Sequence, residues 1–145
     1  NRKEYLSQVV KVQKTLGIRD IILLPSLESG SLDLYHAMVD ENAGPYEFVR
    51  YVVEATVVCT DSFHACALSV NLSKDFVVFK RFEDTDQVSQ NGRIHDFLDL
   101  FGLTGRLYND TGMKWAEPVN YELVQVFLQK ERKNSMDYLI HSIEK

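Results

Sequence analysis

The sequence predicts an α/β fold: an open, mainly parallel sheet of Rossmann-like type with helices on both faces. Three observations carry that expectation. Short, largely apolar runs (Ile21-Ile22-Leu23-Leu24, Thr56-Val57-Val58-Cys59 and Phe76-Val77-Val78-Phe79) read as strands buried on both faces. Segments with helical apolar spacing separate them, the alternation that parallel pairing requires. A chain of 145 residues, 45% hydrophobic and 26% charged, suits one domain with a core of its own.

Each element has a local reason. Residues 4–16 place Leu6, Val9, Val10 and Leu16 on one helical stripe, and Gly17 stops the helix. Pro25 ends the first strand. Residues 25–43 are loop-rich, with a short strand at Leu34–Met38. Gly44-Pro45 opens the next helix, because a first turn has no partner for the N–H that proline lacks. Glu47 suits that positive helix end, and Phe48, Val49, Val52 and Val53 form the expected buried face. A core helix is expected at Ala65–Leu72. Another spans Asn91–Phe101 with Ile94, Phe97, Leu98 and Phe101 inward, and a long one covers Tyr121–Ile143. Trp115, Met113 and Tyr108 are expected to pack under the segment before that last helix.

Charge and composition narrow the function classes. Against 21 Asp+Glu stand 16 Lys+Arg, a net charge of -5 with no long basic run, so general nucleic-acid binding is disfavoured. Any anion site must be a local basic pocket. The longest apolar stretch, Val52 to Cys59, is interrupted by Glu54 and Thr56 and falls well short of a membrane span. The opening Asn1-Arg2-Lys3-Glu4-Tyr5 reads as helix rather than leader peptide, and a first residue other than Met suggests a piece of a longer chain. Cys59 and Cys66 match no metal or redox spacing and read as buried reduced thiols, in keeping with a cytoplasmic protein.

In an open α/β sheet, ligands bind beyond the carboxyl ends of the strands. Three loops qualify. Thr60-Asp61-Ser62-Phe63-His64 follows the second strand and opens a helix, whose free N–H groups and dipole suit a phosphate or carboxylate. Lys80-Arg81 follows the third strand, and Asn91-Gly92-Arg93 opens the helix after it. Lys80, Arg81, Arg93 and His64 are thus expected to converge on one edge of an acidic protein, a focus for a small anion. Plainer readings stay open beside these. Asp61 or Ser62 serves only as a helix cap, His64 is structural, Lys80-Arg81 is a solvated strand end, and Arg93 pairs with Asp96 or Asp99. His36, His95 and His141 have no ligand-like spacing, so no metal is assigned.

Taken as an ordered set, the motifs resemble those of the polysaccharide pyruvyl transferase family. Gly44-Pro45-Tyr46-Glu47-Phe48 is similar to its GP-x-EF helix, and Val58-Cys59-Thr60-Asp61-Ser62-Phe63-His64 to its strand ending in TDSFH or TNSFH. Asn71 to Phe79 resembles "NKPFVVF", Asn91-Gly92-Arg93-Ile94 resembles "NSRI", and Leu100 to Leu107 resembles "LGLEDRL". The likeness covers most of residues 44–143. It implies the C-terminal, donor-side half of a two-domain protein of glycosyltransferase-B-like architecture. Residues 1–145 would form that single Rossmann-like domain.

The implied reaction moves a pyruvyl group from phosphoenolpyruvate to sugar hydroxyls as a ketal and releases phosphate. No separate cofactor is implied, and the glycan acceptor would be held by the missing N-terminal domain, so the isolated chain should be inactive. His64 matches the family histidine and would be the general acid, while Ser62, Asp61, Lys80, Arg81 and Arg93 would line the donor site. Ser62 stands where other branches of the family carry the arginine of an Arg-Leu-His motif. Ala65 replaces the glycine usual after the histidine, and Asp75 replaces a proline in a turn. The resemblance places such a protein in the cytoplasm or at the inner membrane surface. Two other functions fit the same fold: a nucleotide-sugar glycosyltransferase donor domain, and a non-catalytic binding module.

Overall fold

The computed structural model describes residues 2–24, 37–80 and 91–144. Along them run α1 (Arg2–Leu16), β1 (Ile21–Leu23), β2 (Ala37–Val39), α2 (Pro45–Glu54), β3 (Val58–Thr60), α3 (Phe63–Asn71), β4 (Phe76–Val78), α4 (Asn91–Leu100) and α5 (Tyr121–Ile143). Short 3₁₀ turns lie at Thr104–Arg106 and Lys114–Ala116. The class is α/β, and the strands are parallel, but they pair two by two. β1 lies against β2 with Ile22 opposite Met38, and β3 against β4 with Cys59 opposite Val77. A parallel bridge from Val78 to Leu107 gives β4 a neighbour on its other side. Among the described residues no hydrogen bond joins β1 to β3, so the four strands form two ribbons where one sheet was expected.

The β3–β4 ribbon is covered on both faces, and its strand alternation shows why. Phe76 and Val78 point into a cluster with Cys66 and Val70 of α3, Ile94 and Leu98 of α4, and Val124 and Leu128 of α5. Val77 and Phe79 point the other way, onto Val12 of α1 and Trp115. Trp115 and Tyr108 therefore pack as expected, whereas Met113 is about half exposed.

Several boundaries and faces differ from the sequence reading. The second strand is shifted to Val58–Thr60, and α3 starts at Phe63, two residues before the expected helix. The short strand after β1 lies at Ala37–Val39; positions 34–36 of its expected range are outside the described residues. α1 ends where Gly17 takes φ +65°, a conformation open to glycine. Its centre is Val12, with Tyr5, Val9 and Leu16 around it. On α2 only Val52 is buried; Val49 and Val53 are largely exposed, because the neighbours cover just the narrow Phe48/Val52 line. Glu47 satisfies the start of that helix by accepting from Gly44 N–H at 3.0 Å.

A buried cation ties the segment after β4 to the one before α5. Arg106, 4% exposed, donates to the carbonyls of Glu117 at 2.8 Å and Lys114 at 3.2 Å, and to that of Trp115. The Asp75 carboxylate lies 3.8 Å away and accepts from Val119 N–H at 2.8 Å. Asp75, expected to affect only a turn, thus anchors the entry to α5. Tyr121 completes the junction by donating its hydroxyl proton to the Lys74 carbonyl.

Both cysteines are free thiols. Burial, and secondarily the negative charge of Asp61, push Cys66 from 9.0 up to about 12. Burial alone lifts Cys59 equally, to about 12. Above pH 9 the unfolded chain loses these protons first, so the contribution from neutral thiols is complete below about pH 8 and lost as pH rises toward 12. Urea unfolding from pH 8 to pH 11 should show a falling midpoint. Cys66→Ala should flatten that fall relative to wild type, and equal slopes in the two proteins would contradict the assignment.

Candidate functional site

The carboxyl end of β3 passes directly into α3, and the turn between them is built by its own side chains. Thr60 Oγ1 accepts from Ser62 N–H at 3.0 Å, which folds the chain sharply after the strand. Ser62 is the N-cap of α3: its carbonyl accepts from Cys66 N–H at 3.0 Å, yet its hydroxyl makes no capping bond. The expected cap by the Ser62 side chain is therefore absent. The hydroxyl stays at the mouth of the helix, beside its first turn. Asp61 is half-buried and its charge reaches Cys66.

His64 is exposed in the first turn of α3. Phe63 links it to α4: the rings of Phe63 and His64 are 5.8 Å apart, edge to face, and the Arg93 guanidinium sits 5.9 Å over the Phe63 ring. Phe97 buttresses Phe63 from α4 at 5.5 Å. Thus His64 and Arg93 each lie against the Phe63 ring. Phe63 is a site residue that sequence reasoning passed over, although its place between Ser62 and His64 is a usable signal.

Lys80 follows β4. Phe79 N–H donates to the Thr60 carbonyl at 2.8 Å, which sets exposed Lys80 beside the Thr60–Ser62 turn. Arg81 lies outside the described residues. Among the described residues no three His, Cys, Asp or Glu side chains gather as a metal site would need. A helix N-terminus, an imidazole and a guanidinium are each groups that can hold a small anion, and an imidazole can also pass a proton.

No family model, curated protein or solved structure matches this chain. Among the described residues no helix is long and apolar enough to cross a membrane.

Proposed function

We propose that the chain is the donor-binding half of a polysaccharide pyruvyl transferase-like enzyme. The observation that supports this reading is the Ser62–His64 turn at the carboxyl end of a parallel strand, with His64 and Arg93 both against the Phe63 ring. In this reading phosphoenolpyruvate lies at the mouth of α3, its anionic groups held by the first-turn N–H groups, the Ser62 hydroxyl, Arg93, Lys80 and Arg81. Asp61, half-buried in the same turn, lines the donor site. His64 is the general acid, delivering a proton to the methylene carbon or to the departing phosphate. The acceptor sugar is bound by a further domain, and the sheet is one open Rossmann-like sheet in the working form. The protein acts in the cytoplasm or at the inner membrane surface.

Titration of the chain with phosphoenolpyruvate, inorganic phosphate and a nucleoside diphosphate sugar, followed by amide NMR, tests the proposal. Saturable shifts at Ser62, His64 and Arg93 are expected with phosphoenolpyruvate, larger than those with phosphate. Preference for the nucleotide sugar would transfer the site to the glycosyltransferases. Absence of response to all three would favour a binding module without donor chemistry.

A further inference from the structure

Half of the large apolar side chains that stand exposed among the described residues belong to α5, so the least covered surface of the molecule lies there. The first turns of that helix are held to the domain. Val124 and Leu128 are buried, Gln125 donates to the Val70 carbonyl at 3.3 Å and to the Ser73 hydroxyl at 3.0 Å, and Arg132 donates to the Asn71 side chain. Asn71 is the last residue of α3, and from residue 132 to residue 144 every position of the chain is exposed. Residues 133–143 therefore continue as helix beyond the core. Met136, Leu139, Ile140 and Ile143 recur there at the spacing that puts them on one side, and they are between 44% and 81% exposed. A helical stretch this short is marginal in water without a packed face.

We infer that residues 133–143 form the contact of a symmetric dimer, packed antiparallel against the same stretch of a second copy of this chain. The charges flanking the stripe select that occupant and its direction. Lys133 and Glu144 lie on one flank, at opposite ends, while the small residues Ser135 and Ser142 lie on the other. A parallel pair would set Lys133 against Lys133 and Glu144 against Glu144. An antiparallel pair sets Lys133 of each copy against Glu144 of the other, twice by symmetry. The same register brings Ser135 opposite Ser142, where the two backbones can approach closely. It also interleaves the apolar residues along the axis, each pair of knobs falling between those of the facing helix. The burial comes from the apolar stripe, and the charges fix direction and register rather than strength. A contact this short lies at the low end of interface sizes, so dissociation is expected on the order of tens of micromolar. None of this rests on the proposed donor site.

Sedimentation of the whole chain from about 1 μM to about 1 mM tests the dimer. Wild type is expected to pass from monomer to dimer within that range. The double variant Leu139→Glu/Ile140→Glu should weaken association by about a hundredfold or more. Its thermal midpoint at the lowest concentration should match wild type, since neither side chain is buried in the domain. Lys133→Glu or Glu144→Lys alone should weaken the dimer several-fold, and the two reversals together should restore it. Direction is read by oxidising chains carrying Ser135→Cys, Ser142→Cys or a mixture of both. A disulfide is expected in the mixture alone, because Cys59 and Cys66 are not exposed. A monomer throughout the range overturns the dimer and leaves the stripe to a different polypeptide. A dimer unaffected by Leu139→Glu/Ile140→Glu overturns this surface as its contact. Disulfides joining Ser135→Cys to its own copy overturn the antiparallel order.

Discussion

Arg106→Ala is expected to destabilise the protein by about 3–5 kcal/mol, the range seen when one member of a buried charged network is removed. The reason is the number of groups that lose a partner at once. The guanidinium serves the carbonyls of Lys114, Trp115 and Glu117 and faces the Asp75 carboxylate. Alanine would leave those carbonyls in a space closed by Trp115, itself 4% exposed. Burial lowers the Arg106 pKa, and Asp75 acts in the opposite direction, so the charge is held by its surroundings rather than by water. Arg106→Lys should recover only part of the loss, since an ammonium cannot present the planar fork that reaches three carbonyls. Asp75→Asn should be milder: the side chain is 40% exposed, and the amide oxygen can still accept from Val119 N–H. Urea unfolding of the three variants measures this order directly. An Arg106→Ala midpoint close to wild type would show that the carbonyls find other donors.

That junction also marks where sequence reading stops. α5 runs over Tyr121–Ile143 as expected, because helical spacing is a local signal. The alternation of Phe76 to Phe79 between two covered faces was equally legible, since a short apolar run bounded by polar residues needs little context. Arg106 was not legible: an arginine in a polar turn looks solvated until the carbonyls of residues 114–117 are known to fold over it. Asp75 looked like a turn variant for the same reason, its partners being Val119 and Arg106. Val12 was missed because the neighbouring valines drew the stripe one position round the helix. At the candidate site the chain order placed Ser62 and His64 correctly at the start of α3. The bridge from Phe63 to Arg93 depends on how α4 packs against α3, which no local spacing encodes. The two-ribbon pairing was invisible too, since apolar strands state that they are buried but not which neighbour they take.

His64→Gln carries the largest expected effect on activity. If His64 is the general acid of the proposed pyruvyl transfer, its loss should lower the rate of that transfer by about 10²- to 10⁴-fold. Glutamine keeps a similar length and a hydrogen-bond donor but cannot deliver a proton, so anion binding should persist while turnover falls. The exposure of His64 makes the variant a clean one: the side chain fills no core space, and the thermal midpoint should stay within a degree or two of wild type. Arg93→Gln should act differently. It removes the cation over Phe63 and should weaken donor binding, raising KM more than it lowers kcat. Phosphate release from phosphoenolpyruvate in the presence of an acceptor glycan, followed across donor concentration, separates the two. If His64→Gln turned over at the wild-type rate while Arg93→Gln lost binding, the anion site would stand. The acid would then have to be another group at the helix mouth.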